Sequence, residues 1–438
     1  MFMSKENAGV VPKYRFPEFK GAVEWEVILF DKAFNLLQTN TFSRIEMTRE
    51  QKEVQNIHYG DILTKYGNNV GDTSIIPYIN ADIDLKRFRD ESYLQDGDII
   101  IADTAEDLTA GKALEIRNVN SKILAGLHTM LCRPNKEFAP NFLGHYMNSP
   151  CYHGKIKPLL TGTKVYSISK SNIKKTGIHM PNIEEQQKIA DCLTSLDELI
   201  AAENKKLETL KAHKKGLMQK LLPTEGKTMP EWRFPEFRDN DNWETNPFKT
   251  YIKLYRGSSP RPIKNFLTRS GGVNWIKIGD TKNANGFVIS NVEEQITYEG
   301  AKRSRHVHIG ELILANSMSY GKTYETGIDG CIYDGWFVLR EYEEHFDKNF
   351  LIQQLNSDNL QSQYSSLSAG GIVLNISSDI VYSTLLSKPK LNEQRKIADF
   401  LSAVDNKIAA QSEKIQALNI HKKGLMQGLF PSAQEVTK

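Results

Sequence analysis

Two stretches of the chain carry apolar residues at alternating steps of four and three. The first runs through Ile189, Leu193, Leu196, Ile200, Leu207, Leu210, Leu217 and Leu221, with Glu203 and Lys214 in the two polar gaps. The second runs through Ile397, Leu401, Val404, Ile408, Ile415, Leu418, Leu425 and Leu429, with Gln411 and Lys422 in the gaps. A 3.5-residue period predicts a narrow coiled-coil seam rather than the broad face of a globular helix. Neither stretch has an internal proline, and the glycines lie near the ends. A helix of roughly 39 residues is a rod of about 58 Å. A whole domain separates the two, so an antiparallel pairing within the chain is expected, with the polar seam positions helping to fix register.

The two stretches are copies of one another. Residues 183–223 recur at 391–431 without a gap, with 22 of 41 positions identical. A second echo, Arg15-Phe16-Pro17-Glu18-Phe19 with Trp25, returns as Arg233-Phe234-Pro235-Glu236-Phe237 with Trp243. Gly162, Val165, Ile168, Ser169 and Pro181 match Gly370, Val373, Ile376, Ser377 and Pro389. What lies between shares little sequence. The pattern is an entry motif, a variable region and a long helix, then the same again.

The variable regions mix short β-like runs, turns and a few helical stretches. Asp98–Ala102 and Glu311–Ala315 read as buried strands after turns, and Phe142–Met147 and Phe350–Leu355 as helices. The expected fold class is α+β: two mixed α/β recognition domains separated by two long antiparallel helices forming an intramolecular coiled coil. The boundaries read as an entry segment 1–20, domain one 21–182, helix one 183–222, linker and second entry motif 223–238, domain two 239–390, helix two 391–430 and a tail 431–438.

Composition narrows the class. The 438 residues suffice for two or three domains. The four cysteines form no Cys-x-x-Cys pair, which argues against zinc knuckles and disulfide frameworks and suits a reducing cytoplasm. The first residues lack the apolar core of a signal peptide, and no apolar run is long enough for a bilayer, so a cytoplasmic protein without membrane association is expected. Net charge is only +3, but residues 155–175 and 249–270 carry six basic residues each and no acid. Local basic stretches in both halves fit a protein that binds double-stranded DNA at defined places.

The candidate DNA-binding residues follow from loop chemistry. Glycine, hydroxyl, aromatic and basic residues combine at Thr64, Lys65 and Tyr66, at His128, and at Thr163 and Lys164 in the first region. In the second they combine at Arg256, Ser258 and Arg261, at Arg303 and Arg305, and at Asn316, Ser319, Tyr320 and Lys322. Arginine reads guanine with two parallel bonds, asparagine reads adenine, and lysine, serine and threonine hold phosphates. Ordinary turns use the same residue types. Both helix copies end His-Lys-Lys-Gly-Leu-Met-Gln, and identity at exposed positions exceeds what a seam needs. His213, Lys214, Gln219, His421, Lys422 and Gln427 are therefore candidate docking positions for two copies of one partner.

Catalytic signatures are incomplete. Gly321-Lys322-Thr323 lacks the glycine that a phosphate loop needs at position 316. Asn246-Pro247-Phe248 lacks the second proline of an amino-methyltransferase motif and any glycine-rich cofactor loop before it. Pro17-Glu18-Phe19-Lys20 sits in an aromatic entry motif that reads as packing, and the pair His306 and His308 is too small a set for a metal site. No catalytic residue, metal or resident cofactor is expected.

Two divergent regions, each followed by a near-identical helix with Glu185–Asp191 or Glu393–Asp399 and the His213 or His421 segment, resemble the specificity subunit of type I restriction-modification systems. The resemblance implies two target recognition domains, each reading half of a bipartite, asymmetric DNA site. It implies helices that set the half-site spacing and dock two methyltransferase (modification) subunits. S-adenosylmethionine, ATP and magnesium would then belong to partner subunits, the ATP to motor-nuclease (restriction) subunits. A self-contained restriction-methylation enzyme would need a cofactor motif absent from the sequence. A coiled-coil scaffold joining two protein-binding domains would show no salt-dependent DNA affinity.

Overall fold

The computed structural model describes residues 10–224, 226–317, 321–368 and 375–431, with the side chain of Ser368 left aside. The predicted rods are present as single helices, α1 (Ile183–Leu221) and α2 (Leu391–Leu429). All ten stripe positions of each are buried or half-buried, while neighbours such as Glu198, Lys205 and Lys206 are exposed. The chain divides into two compact units, 1–202 with 416–438, and 203–415. Each unit therefore contains part of α1 and part of α2.

Within each unit the helix segments run antiparallel. In the second unit Lys214 meets Asp405 at 2.6 Å, and Gln411 donates to the carboxylate of Glu203 at 2.6 Å. In the first unit Lys422 pairs with Asp197. Lys214 and Lys422 are repeat counterparts, as are Asp405 and Asp197, so each unit uses the same cross-helix bond. Both lysines are largely withdrawn from water, with side chains 11% and 17% exposed. Replacing Lys422 by alanine is expected to cost about 1–3 kcal/mol, because Asp197 loses its cation. Exchanging the pair, Lys422→Asp with Asp197→Lys, should restore the urea midpoint; no recovery would remove the ion pair from the account.

The two variable regions share one topology despite their unlike sequences. In the first unit the strands β1 (Phe34–Leu37), β2 (Asn69–Val70), β3 (Ile99–Ala102), β4 (Ala113–Ile116) and β5 (Thr129–Pro134) form a sheet of order β1-β5-β3-β4-β2. In the second, β6 (Lys253–Arg256), β7 (Val288–Ile289), β8 (Leu312–Ala315), β9 (Thr323–Thr326) and β10 (Trp336–Arg340) form a sheet of order β6-β10-β8-β9-β7. The order is the same. A second sheet in each unit contains a matching parallel pair, Val54–Ile57 with Lys122–Ala125 and Val273–Ile276 with Gly330–Ile332. The expected buried strands are β3 and β8, whose apolar runs lie between the two packed layers of each domain.

Identical positions in the helix repeat attach each domain to its helix. Glu185 holds Arg15 of the first entry motif at 2.6 Å, and Glu393 holds Arg233 of the second at 2.6 Å. Both pairs are buried, with carboxylates only 1% exposed. Gln186 accepts the N–H of Ala139 and donates to the carbonyl of Pro181; Gln394 does the same with Asp347 and Pro389. One asparagine in each domain, Asn148 or Asn356, accepts the N–H and donates to the carbonyl of Ala113 or Thr323. The conserved spacing inside the chain thus reflects paired hydrogen-bonding sites as well as apolar packing.

Candidate nucleic-acid interface

Matching strands deliver matching loops to one end of each domain. In the first, Asp103 follows β3, donates its N–H to His128 and accepts the N–H of Ile168. In the second, Asn316 follows β8, donates to Gly335 and accepts from Ile376. The loops after β1 and β6, after β3 and β8, and before β5 and β10 therefore converge with the 162–168 and 375–376 segments. The candidate loops named from sequence fall on this end.

In the first domain the short helix Tyr59–Thr64 carries Thr64 and Lys65 at its C-terminal end. The Thr64 hydroxyl donates to the carbonyl of Gly60 at 2.7 Å, and Lys65 is exposed while bonding the buried Asp61 at 2.6 Å. Arg44 joins the same carboxylate at 3.1 Å. The two cations hold Asp61 below the usual carboxylate range against the upward push of its burial, which is the largest single influence. The His58 ring lies 4.6 Å from Tyr59, and Tyr59 lies edge-on to His128 at 5.3 Å. His58 titrates low, chiefly through burial and then through Arg44. Thr163 and Lys164 are exposed on a loop closed by a Thr161–Ser167 bridge. Gly162 makes that loop possible: its φ is +114°, and an added Cβ would stand 1.8 Å from the carbonyl of Val165.

Tyr66 requires a correction. It is 6% exposed and packs with Ile57, Ile62 and Val70 in the domain core. Burial raises its phenol to about 12. Its place in a loop with Thr64 and Lys65 suggested a surface ring, but packing in the domain core takes it inward.

In the second domain Asp334 gathers the candidates. Its carbonyl accepts Nε of Arg256 at 3.3 Å and the amide of Asn316 at 3.0 Å. Its carboxylate takes the hydroxyl of Ser259 and lies 3.7 Å from Arg261. The Ser259 bond, with Arg261 and Arg256 adding to it, keeps this carboxyl below its ordinary range. Ser258 donates to the carbonyl of Arg303 at 3.2 Å, and Arg305 donates Nε to the carbonyl of Arg256 at 3.3 Å. Asn316 is a second correction: it is 4% exposed, so its amide braces the Asp334 turn rather than standing free. It does line a cleft of about 410 Å³ with Arg256, Asn375, Ser377 and Tyr382. Lys322 is exposed. Ser319 and Tyr320 lie outside the described residues.

The docking candidates divide. Lys214 and Lys422 are corrected: their seam positions commit them to Asp405 and Asp197, so their identity in both copies is explained inside the chain. Gln219 is exposed and donates to Asp358 at 3.2 Å. His213, His421 and Gln427 are exposed on the helices. Sequence reasoning missed Arg44, Asp61, Asp103 and Asp334, which organise the loops through partners that only the fold brings to them. Among the described residues no group of three or more His, Cys, Asp or Glu is arranged to hold a metal ion, and no helix is long and apolar enough to cross a membrane.

The sequence profile of the type I restriction modification DNA specificity domain matches twice, over residues 46–212 and 240–419. The chain belongs to this family. A putative type I restriction enzyme MjaX specificity subunit from Methanocaldococcus jannaschii is 25% identical over 75% of this chain and 76% of that protein. The MjaVIII specificity subunit of the same organism is 26% identical over 62% of this chain and 65% of its own length, just under two thirds. Among solved structures, the type I restriction-modification S subunit from M. genitalium superposes with a TM-score of 0.56 at 15% identity, covering 96% of this chain and 99% of that one. A structure reported for complex assembly and conformational transition of the type I R-M system gives 0.58 at 16% identity, covering 93% and 97%. These two likenesses establish the fold. As a DNA specificity family member, the chain serves sequence recognition in a type I restriction-modification system, and the reading of a protein-binding scaffold unrelated to nucleic acid is not favoured.

Proposed function

We propose that this specificity chain reads a bipartite, asymmetric site in double-stranded DNA, with residues 21–182 and 239–390 as its target recognition domains. The observation that carries this reading is the pairing of one topology with two loop chemistries. The same strand ends present Tyr59, Lys65 and His128 in one domain and an arginine cluster in the other. Equivalent platforms with unlike contacts read unlike half-sites. The exposed helix positions His213, His421 and Gln427 are proposed to dock two methyltransferase subunits, which supply S-adenosylmethionine. Motor-nuclease subunits, with ATP and magnesium, complete the assembly in the cytoplasm. The helices set the gap between half-sites, so a heptad added to both in register alters it.

Replacing residues 239–390 with the corresponding region of another family member is expected to change one half of the methylated sequence and leave the other intact. Long-read mapping of methylated bases in cells carrying either gene measures this. A methylation pattern unaffected by the exchange would remove the second region from recognition.

A further inference from the structure

We propose that Arg256 and Arg305 read guanine in the half-site bound by the second domain. This rests on the DNA-reading function above and assigns its chemistry. The two guanidinium groups are set by one device. Arg305 donates Nε to the carbonyl of Arg256, and Arg256 donates Nε to the carbonyl of Asp334. Among the described residues neither arginine has a partner at its two terminal nitrogens.

Arg87, Arg89 and Arg269 also lack polar partners there, but among the described residues no other arginine of the domains joins an anchored Nε to free terminal nitrogens. Arg44 is committed to Asp61, Arg117 to Glu115, Arg133 to Asp98 and Arg340 to Glu311. Arg303 bonds Glu299 at 3.3 Å, and Arg261 shares the Asp334 carboxylate at 3.7 Å. An Nε anchor fixes a planar guanidinium while leaving two parallel donors. Guanine offers two neighbouring major-groove acceptors, N7 and O6, at the spacing those donors match.

The surroundings favour a fixed fork over a mobile charge. Arg305 lies over the Tyr255 ring at 5.6 Å, which restricts its plane. Arg256 is exposed at the rim of the cleft whose lining, Asn316, Asn375, Ser377 and Tyr382 among it, contains no carboxylate. The anchoring bond brings the two cations together, and the ionised Asp334 offsets part of their repulsion. In the first domain Leu127 stands where Asp334 stands in the second, and the nearby Arg44 is held by Asp61. The guanine-reading device thus belongs to one half-site.

The test uses the full chain assembled with its methyltransferase partner. Arg256→Ala, Arg305→Ala and Arg256→Lys are compared with the unaltered chain by long-read methylome mapping and by binding to duplexes carrying each base at every half-site position. Each substitution is expected to lower discrimination roughly ten- to a hundredfold at one guanine of the second half-site. The lysine variant fails as well, because a point charge lacks the fork. The first half-site, read by the same molecule, stays unchanged and reports that the protein is folded. A uniform loss of affinity with the motif intact, and a salt slope reduced by about one, would make these arginines phosphate contacts and overturn the proposal. So would an unaltered motif and affinity, or a second half-site without guanine. Failure of DNA reading itself is distinct: the unaltered assembly would show no defined motif.

Discussion

Replacing Glu393 by alanine is expected to lower stability by about 3–5 kcal/mol, the range for breaking a buried ion pair from one side. Arg233 donates Nε and a terminal nitrogen to this carboxylate at 2.8 and 2.6 Å, and Trp243 adds its indole N–H at 3.3 Å. Removing the acceptor leaves a guanidinium only 9% exposed without its anion. Glu185→Ala should act alike, since Arg15 is held in the same two-bond manner. The double variant Arg233→Met with Glu393→Met should recover much of the loss, because neither charge is then stranded. Urea midpoints of the single and double variants check this; a loss below about 1 kcal/mol in the singles would mean the pair behaves as if solvated. By contrast, Lys188–Glu18 and Lys396–Glu236 are exposed repeat counterparts and should contribute little.

A strong acid sensitivity is the second expectation. His145 and His179 are both buried, and burial lowers each imidazole to about 3, with Lys422 and Lys155 respectively pushing the same way. His145 Nδ1 lies 3.1 Å from the Asn68 side-chain amide, and Nε2 lies 3.0 Å from the Thr194 hydroxyl and 3.4 Å from the Asn69 amide, all uncharged partners. Asp197 lies 3.9 Å away, but its carboxylate belongs to Lys422 and forms no ion pair with a neutral imidazole. The sign follows from proton uptake. In the unfolded chain these rings protonate near pH 6.5, whereas in the folded chain they stay neutral until about pH 3. Stability is therefore full above pH 7 and falls as pH drops from about 6.5 toward 3, by about 1.4 kcal/mol per pH unit for each ring. His145→Gln, the residue found at the counterpart Gln353, should lower the slope between pH 6 and 4 by about one proton. Equal slopes for the two proteins, measured by urea unfolding across that range, would exclude His145 as a source.

The parts of this architecture that repeat were the parts legible in the sequence. Helix α1 begins at Ile183 and α2 at Leu391, the first residues of the repeated stretches and six residues before the first seam positions, because a 3.5-residue stripe is a local signal. The runs now seen as β3 and β8 were legible for the same reason. The shared topology of the variable regions was not. It resides in backbone pairings such as Ile57 with Ala125 and Ile276 with Ile332, which impose hydrogen bonds but no common side chains. The candidate loops were found by residue type, yet type alone could not separate Tyr66, drawn into a core, from the exposed Lys65 before it. Nor could it show that Lys214 and Lys422 each had an aspartate waiting across the seam. The lysine pairings join positions 191 and 225 residues apart.

The attachment of each domain by Gln186 or Gln394 has an evolutionary corollary. Most of these bonds end on main-chain groups, which every amino acid but proline offers alike. An incoming module from a distant source therefore needs only the right backbone trace beneath it, with its tip left open to drift. Exchange of whole modules between lineages, cut within the near-identical rods, would yield workable hybrids with new target preferences in a single event.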